Sequence, residues 1–240
     1  MDRQSEVFIF AHIPKTGGTT LDRHFETYMN LHVDYIPLSG PGERRAIAEG
    51  LAPFQERSLT DRQQAKVILG HQVRRHTHQL VPGKQPHYIV LIREPIAWVT
   101  SRYNWAMRVR KERHQPIISF DQWYQQSKHA QSQTLWFLRN FAEGHRFLRW
   151  VPQNLRVRQM NRIIQTFSMV TVTERLDEDG PLLMQRMGLP NTLKRRNVAG
   201  VDHPKLVQVS DELKEKLAID LAAEIRFYED WKARSPVIRW

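Results

Sequence analysis

A chain of 240 residues, 40% hydrophobic and 25% charged, has the size and composition of one soluble globular domain, taken here as residues 1–240. Thirty-six Lys and Arg against 25 Asp and Glu leave a net charge of +11 and point to an anionic partner: a nucleotide, a nucleic acid, an acidic or sulfated sugar, or a membrane surface. The lack of any cysteine excludes disulfide scaffolds, zinc–thiolate centres and cysteine nucleophiles.

The polar opening, residues 1–6, runs into a short apolar stretch, residues 7–13, without the basic start and small-residue cleavage site of a signal peptide. Neither this stretch nor any later one is long enough to cross a bilayer, so the expectation is a soluble, cytoplasmic protein with no transmembrane segment. Residues 7–13 read instead as a buried strand, and the apolar runs 67–69, 88–92 and 169–172 as three more. Helical spacing falls between them. Leu21, Phe25, Tyr28 and Met29 mark a helix after the first strand, and Pro95 opens another that carries Val99, Tyr103 and Met107. Leu135, Leu138 and Phe141 suggest a third, and Met160, Ile163, Ile164 and Phe167 a fourth. One last helix is capped by Ser210 and striped by Leu213, Leu217, Leu221, Ile225 and Tyr228. Residues 37–57, rich in Gly and Pro, read as a variable excursion. Strands alternating with helices predict an α/β fold: a P-loop-like central parallel β-sheet flanked by helices on both faces.

The segment Ala11-His12-Ile13-Pro14-Lys15-Thr16-Gly17-Gly18-Thr19-Thr20 leaves the first strand, turns through two glycines and opens a helix. Such a turn gathers backbone N–H groups and a helix N-terminus around an anion, and Lys15 adds a full positive charge. Thr16, Thr19 and Thr20 offer hydroxyls. An ATP-binding P-loop reads GxxxxGK[ST], with its lysine after the last glycine. Here Lys15 precedes both, which weighs against a kinase or NTPase. The bland alternative is a strand–turn–helix junction that happens to carry Gly-Gly.

The run His-Ile-Pro-Lys-Thr-Gly-Gly-Thr-Thr resembles the 5′-phosphosulfate-binding loop of carbohydrate sulfotransferases, the heparan sulfate 2-O-sulfotransferase group above all. These enzymes use PAPS (3′-phosphoadenosine-5′-phosphosulfate) as donor and release PAP. The resemblance implies that Lys15 meets the oxygen bridging phosphate and sulfuryl group, and that residues 16–20 cradle the 5′-phosphate. Ile92-Arg93-Glu94-Pro95, with Ser101 six residues after the proline, is similar to the same family's 3′-phosphate site. Arg93 and Ser101 would then clamp the phosphate that ATP lacks; taken alone, Arg93 is equally a strand-end ion-pair partner. Relatives often carry a basic residue where this chain has Trp98.

A hydroxyl acceptor needs a base, and histidine titrates near neutrality. Gly70-His71 ends the second apolar run at the position where relatives place a catalytic histidine, and the resemblance gives His71 that role. The alternative is a structural hydrogen bond. The second histidine that some relatives carry two residues earlier is Leu69 here. His71, His76 and His78 match no metal motif, and no metal is expected. Tyr103, Trp105, Arg102, Arg108, Arg110, Lys111 and Arg113 suit an acidic sugar acceptor or, equally, an ordinary basic helix face. Arg196 and Asn197 in the late basic knot 194–197 are donor contacts or solvated charge.

The expected function is transfer of a sulfuryl group from PAPS to a hydroxyl, that of a saccharide foremost, with no nucleic-acid partner. A nucleotide-dependent kinase and a non-catalytic polyanion or nucleic-acid binder are the alternatives.

Overall fold

The first apolar run becomes a central strand. A computed structural model describes residues 5–38, 41–127, 132–142, 145–194 and 210–240. In it, β1 (Glu6–Ala11) is buried at every position, as suits a strand covered on both faces. It leads through α1 (Gly18–Tyr28) to a short strand, β2 (Tyr35–Pro37). Two helices, α2 (Pro41–Ala48) and α3 (Leu59–Arg62), precede β3 (Val67–Gly70). Then come β4 (Gln85–Ile92), the long α4 (Pro95–Glu112), α5 (Phe120–Ser127), α6 (Gln133–Phe141) and α7 (Gln153–Ile164). The chain ends in β5 (Met169–Val172), α8 (Leu176–Met187), α9 (Asp211–Asp220), α10 (Ala222–Arg234) and β6 (Val237–Ile238).

The strands form one sheet in the order β2-β3-β1-β4-β5-β6. All neighbours pair in parallel except β5 with β6, which run antiparallel. The fold is therefore α/β with a mostly parallel central sheet flanked by helices on both faces, as the sequence led us to expect, and β6 adds one antiparallel edge. The two faces bury separate cores. Val7, Ile9 and Ala11 of β1 pack with Trp98, Val99 and Met107 of α4 and with side chains of α6, α7 and α10. Phe8 and Phe10 point the other way, toward Leu21 and Phe25 of α1 and Leu183 and Met184 of α8. Among the described residues, no helix is long and apolar enough to cross a membrane.

Local chemistry explains where the elements depart from the sequence reading. β1 stops at Ala11 rather than residue 13 because the Ile13 N–H turns back onto the Ala11 carbonyl at 3.0 Å, which pulls the chain out of the ladder. The single C-terminal helix is two. Leu221, at φ −109° and ψ 13°, ends α9 and begins α10, so one apolar stripe wraps around a bend. The excursion 37–57 holds α2 and a 3₁₀ turn over Phe54–Glu56, and β2, α3, α5, α8 and β6 have no counterpart among the expected elements.

This winding creates a crevice. β1 and β4 are neighbours, yet the helix after β1 packs on one face and the helix after β4 on the other. The loops leaving their C-terminal ends diverge, and open α/β sheets bind ligands where they do so. β3, on the other flank of β1, ends beside Leu38, whose N–H continues the ladder onto the Leu69 carbonyl at 2.8 Å. A Cβ on Gly70 would lie 1.6 Å from the Leu38 carbonyl oxygen, whereas one on the helical Gly180 would meet the flexible ends of Leu193 at 3.0 Å and Leu176 at 3.7 Å. Gly70→Ala should therefore lose at least about 2–3 kcal/mol in urea unfolding, the upper part of the usual overpacking cost. Gly180→Ala should stay within about 1 kcal/mol of the parent, helix propensity offsetting the tight contact. Equal stability of the two variants would contradict this packing.

Candidate functional site

Four consecutive backbone carbonyls, those of residues 12–15, are each held by a different side chain. The His12 carbonyl lies 2.9 Å from His71 Nδ1, and the Ile13 carbonyl accepts from Thr16 Oγ1 at 2.8 Å. The Pro14 carbonyl accepts from the Trp98 indole N–H at 2.7 Å, and the Lys15 carbonyl from Arg93 Nη1 at 2.9 Å. In a trans peptide the carbonyl and the following N–H point in opposite directions. Anchoring the Pro14 and Lys15 carbonyls in the protein thus turns the N–H groups of Lys15 and Thr16 toward the opposite side. Lys15 at φ 69° and Gly17 at φ 91° are both left-handed, the alternation that forms an anion-binding concavity.

The same loop ends at the N-terminus of α1, where Gly17 provides no capping side chain and the first turn has no acidic residue. The partial positive charge there is left for an anion. Gly18 is needed for a different reason. A Cβ would fall 1.9 Å from Nε2 of the His12 ring, which stacks on His71 with ring centroids 4.2 Å apart. Of the expected hydroxyl donors, Thr16 is buried and gives its proton to Ile13, Thr20 is buried, and Thr19 is exposed.

Arg93 follows β4 and is fixed at both main chain and side chain. Gln133, at the start of α6, accepts from the Arg93 N–H at 3.1 Å and donates to its carbonyl at 2.7 Å. Glu174 Oε1 lies 4.0 Å from Arg93 Nε, so the ion pair considered from sequence exists, beside the bond from Arg93 to the lysine loop. Tyr228 holds the other Glu174 oxygen at 3.0 Å. Glu94 caps α4 by accepting from the N–H groups of Ile96 and Ala97, which sets the helix direction and brings Trp98 under the loop. Ser101 is half-buried on the same helix, one turn beyond Trp98.

The electrostatics follow from crowding cations. Burial, with the charges of Arg108, Arg93 and Arg102, lowers Lys15 from its ordinary 10.5 to about 8. Burial first, and Arg102 second among the lowering causes, brings His71 below its usual value, against the opposing bond to the His12 carbonyl and the charge of Asp22. His71 is consequently neutral at pH 7. Since a carbonyl only accepts, its Nδ1 carries the proton and its Nε2 the lone pair. Burial drives His12 to about 3, so it is a neutral packing partner. Burial also raises Asp22, which accepts from the Tyr35 hydroxyl.

Other expected residues have structural duties. The Tyr103 hydroxyl donates to the Ile118 carbonyl inside the core, Arg110 Nε to the Pro116 carbonyl, and Arg108 lies 3.8 Å from Glu112. His78 bonds to the Tyr88 hydroxyl rather than joining His71. Arg196 and Asn197 lie outside the described residues. Sequence reading missed Gln133, Glu174 and Asp22. It noted Trp98 only as a departure from the family pattern. No local motif marks any of the four, since their partners are 13 to 84 residues away.

No family model matches the chain, and no curated protein matches it. Among solved structures it is similar to a sulfotransferase from Alicyclobacillus acidocaldarius, at 14% identity over 94% of each chain and a TM-score of 0.47.

The lowered Lys15 gives a direct test of the site's charge. Competitive acetic-anhydride labelling read by mass spectrometry should show Lys15 becoming half-reactive near pH 8, as it loses its proton. Exposed lysines should do so near their ordinary value of about 10.4. A Lys15 midpoint with the exposed set would show that the cations do not crowd it.

Proposed function

We propose that this chain, as one domain, transfers a sulfuryl group from PAPS to an acceptor hydroxyl, a saccharide hydroxyl in the first place. The observation that carries the reading is the hydrogen bond from Arg93 to the Lys15 carbonyl, which joins two anion-binding elements across neighbouring strand ends. A donor with phosphates at both ends of a ribose fits two such elements, and ATP does not use the second. The lysine-before-glycine order of the loop agrees with this donor rather than with a nucleoside triphosphate.

Within this reading each residue has a defined task. The loop N–H groups and the α1 N-terminus hold the 5′-phosphate, and Arg93 with Ser101 holds the 3′-phosphate. The acceptor O–H gives its proton to His71 Nε2, and the acceptor oxygen forms the new bond to sulfur. The bond from sulfur to the phosphate oxygen breaks, its electron pair staying on that oxygen, where Lys15 offsets the charge. The site gains its rate from positioning and from charge placed before the reaction. Arg196 and Asn197 remain assigned to the donor by family resemblance alone.

Calorimetric titration should show PAP binding more tightly than ADP, with the preference lost in Arg93→Ala. Equal affinity for PAP and ADP in the parent protein would sink the reading. PAP affinity should decline above about pH 8, because Lys15 is charged only below its lowered value. Turnover needs neutral His71, so the acid limb of the rate profile should fall below pH 6.5, under the ordinary histidine value. Lys15→Ala should cost about 10²–10³ in kcat and His71→Ala about 10²–10⁴, both measured as release of PAP from PAPS. An unchanged acid limb in His71→Ala would remove the base assignment.

A further inference from the structure

Arg102 is a half-buried cation on α4 whose hydrogen bonding is incomplete. Its guanidinium lies over the Trp98 ring, 5.4 Å from the ring centre, and that indole donates to the Pro14 carbonyl. The adjoining residues of the same loop carry Lys15 and, at His12, the hydrogen bond and ring stack that hold His71. Arg102 is thus anchored to the short stretch between the leaving-group cation and the base. Its Nε–H is buried without a hydrogen-bond partner among the described residues. Leu69, two residues before His71 on β3, is buried and apolar and offers that side of the site no charge.

A desolvated cation among other cations is costly unless an anion completes it. Here the neighbours that respond to Arg102 are themselves basic. Its charge lowers both Lys15 and His71, while burial and Arg139 act on Arg102 in turn. An anion placed between Lys15 and His71 would therefore also feel the charge of Arg102.

We propose that Arg102 is a catalytic residue that holds the oxygens of the sulfuryl group during its transfer. This assignment rests on the sulfotransferase reading and goes beyond it by naming a third charged group at the reacting centre. As the acceptor oxygen bonds to sulfur and the bond to the phosphate oxygen breaks, the three remaining sulfuryl oxygens lie around the sulfur in a plane. The proton has gone to His71 Nε2 and the electron pair of the broken bond stays with PAP. A planar guanidinium presents paired N–H groups that match two such oxygens, and its contact with the Trp98 ring restricts where it can lie. Preorganised charge of this kind is worth about 10²–10³ in rate.

The acceptor is not needed for the test. Orthovanadate, a trigonal-bipyramidal mimic of the group in flight, is titrated into PAP-saturated parent, Arg102→Gln and Arg102→Lys proteins, with PAP affinity measured first. Slow PAPS hydrolysis to PAP and sulfate supplies kcat and KM. Arg102→Gln should keep the parent's PAP affinity and KM for PAPS, lose about 100-fold in vanadate affinity and lose a comparable factor in kcat. Arg102→Lys should recover part of both losses. Vanadate affinity and hydrolysis unchanged in Arg102→Gln would overturn the assignment and leave Arg102 an acceptor anchor or a packing residue. Loss of PAP binding in both variants would overturn it in favour of donor binding or folding. Failure of the parent protein to bind PAP is a separate result, which removes the sulfotransferase reading itself and the role of Arg102 with it.

Discussion

The backbone of residues 12–15 is the constraint on which the rest of the site depends. A chain leaving a buried parallel strand would normally spend its carbonyls on water or on the next turn. Here His71, Thr16, Trp98 and Arg93 take them one after another, and these side chains come from β3, the loop itself, α4 and the end of β4. Each bond contributes only about 1 kcal/mol net, but leaving any one of these carbonyls buried and unpaired costs more. Together they hold Lys15 in a left-handed conformation that a side-chain-bearing residue adopts only at a cost of about 1–3 kcal/mol. Strain of that kind persists where the surroundings over-determine the geometry, and four independent anchors do so.

The same anchors explain why the charges are where they are. The groups that fix the carbonyls include His71 and Arg93, to which the proposed function gives catalytic and donor-binding roles, so the loop cannot move without displacing them. Burial depresses these cations, and their closeness to one another adds to the effect. Negative charge placed among them would relieve their mutual repulsion. Fixed, partly desolvated cations attract an anion more strongly than the same charges spread over an exposed surface, so the +11 net charge of the chain understates the pull of this cluster. Glu174 and Asp22 moderate the repulsion without cancelling it. Glu174 sits 4.0 Å from Arg93, and Asp22 is tied to Tyr35.

Histidine pairing adds a second use of burial. His12 is held neutral by desolvation and serves as a flat surface for His71, and Gly18 supplies the space for it. The His12 carbonyl fixes the His71 tautomer. One residue thus orients His71 through both its ring and its backbone. The edge-on Trp136 ring, 5.8 Å away on α6, closes the other side.

The amino-acid sequence by itself determined the elements whose local pattern is strong: the apolar runs of β1, β3, β4 and β5, Pro95 opening α4, Ser210 capping α9, and the Lys15 and Arg93 motifs. These signals are short-range, arising from periodicity, caps and glycine geometry, and so they can be read without partners. Tertiary structure decided the remainder. The break at Leu221, the three-residue β2 and the antiparallel β6 are too short or too context-dependent to leave a local pattern. The assignment of Trp98 to the Pro14 carbonyl, of Gln133 and Glu174 to Arg93, and of Arg102 to the Trp98 ring under the lysine loop depends on which strand lies next to β1. A sequence states which side chains can donate or carry charge. Only the crossing of the chain from β3 over β1 to β4 brings those groups to one loop, because hydrogen bonding and desolvation act over a few ångströms of space and not along the chain.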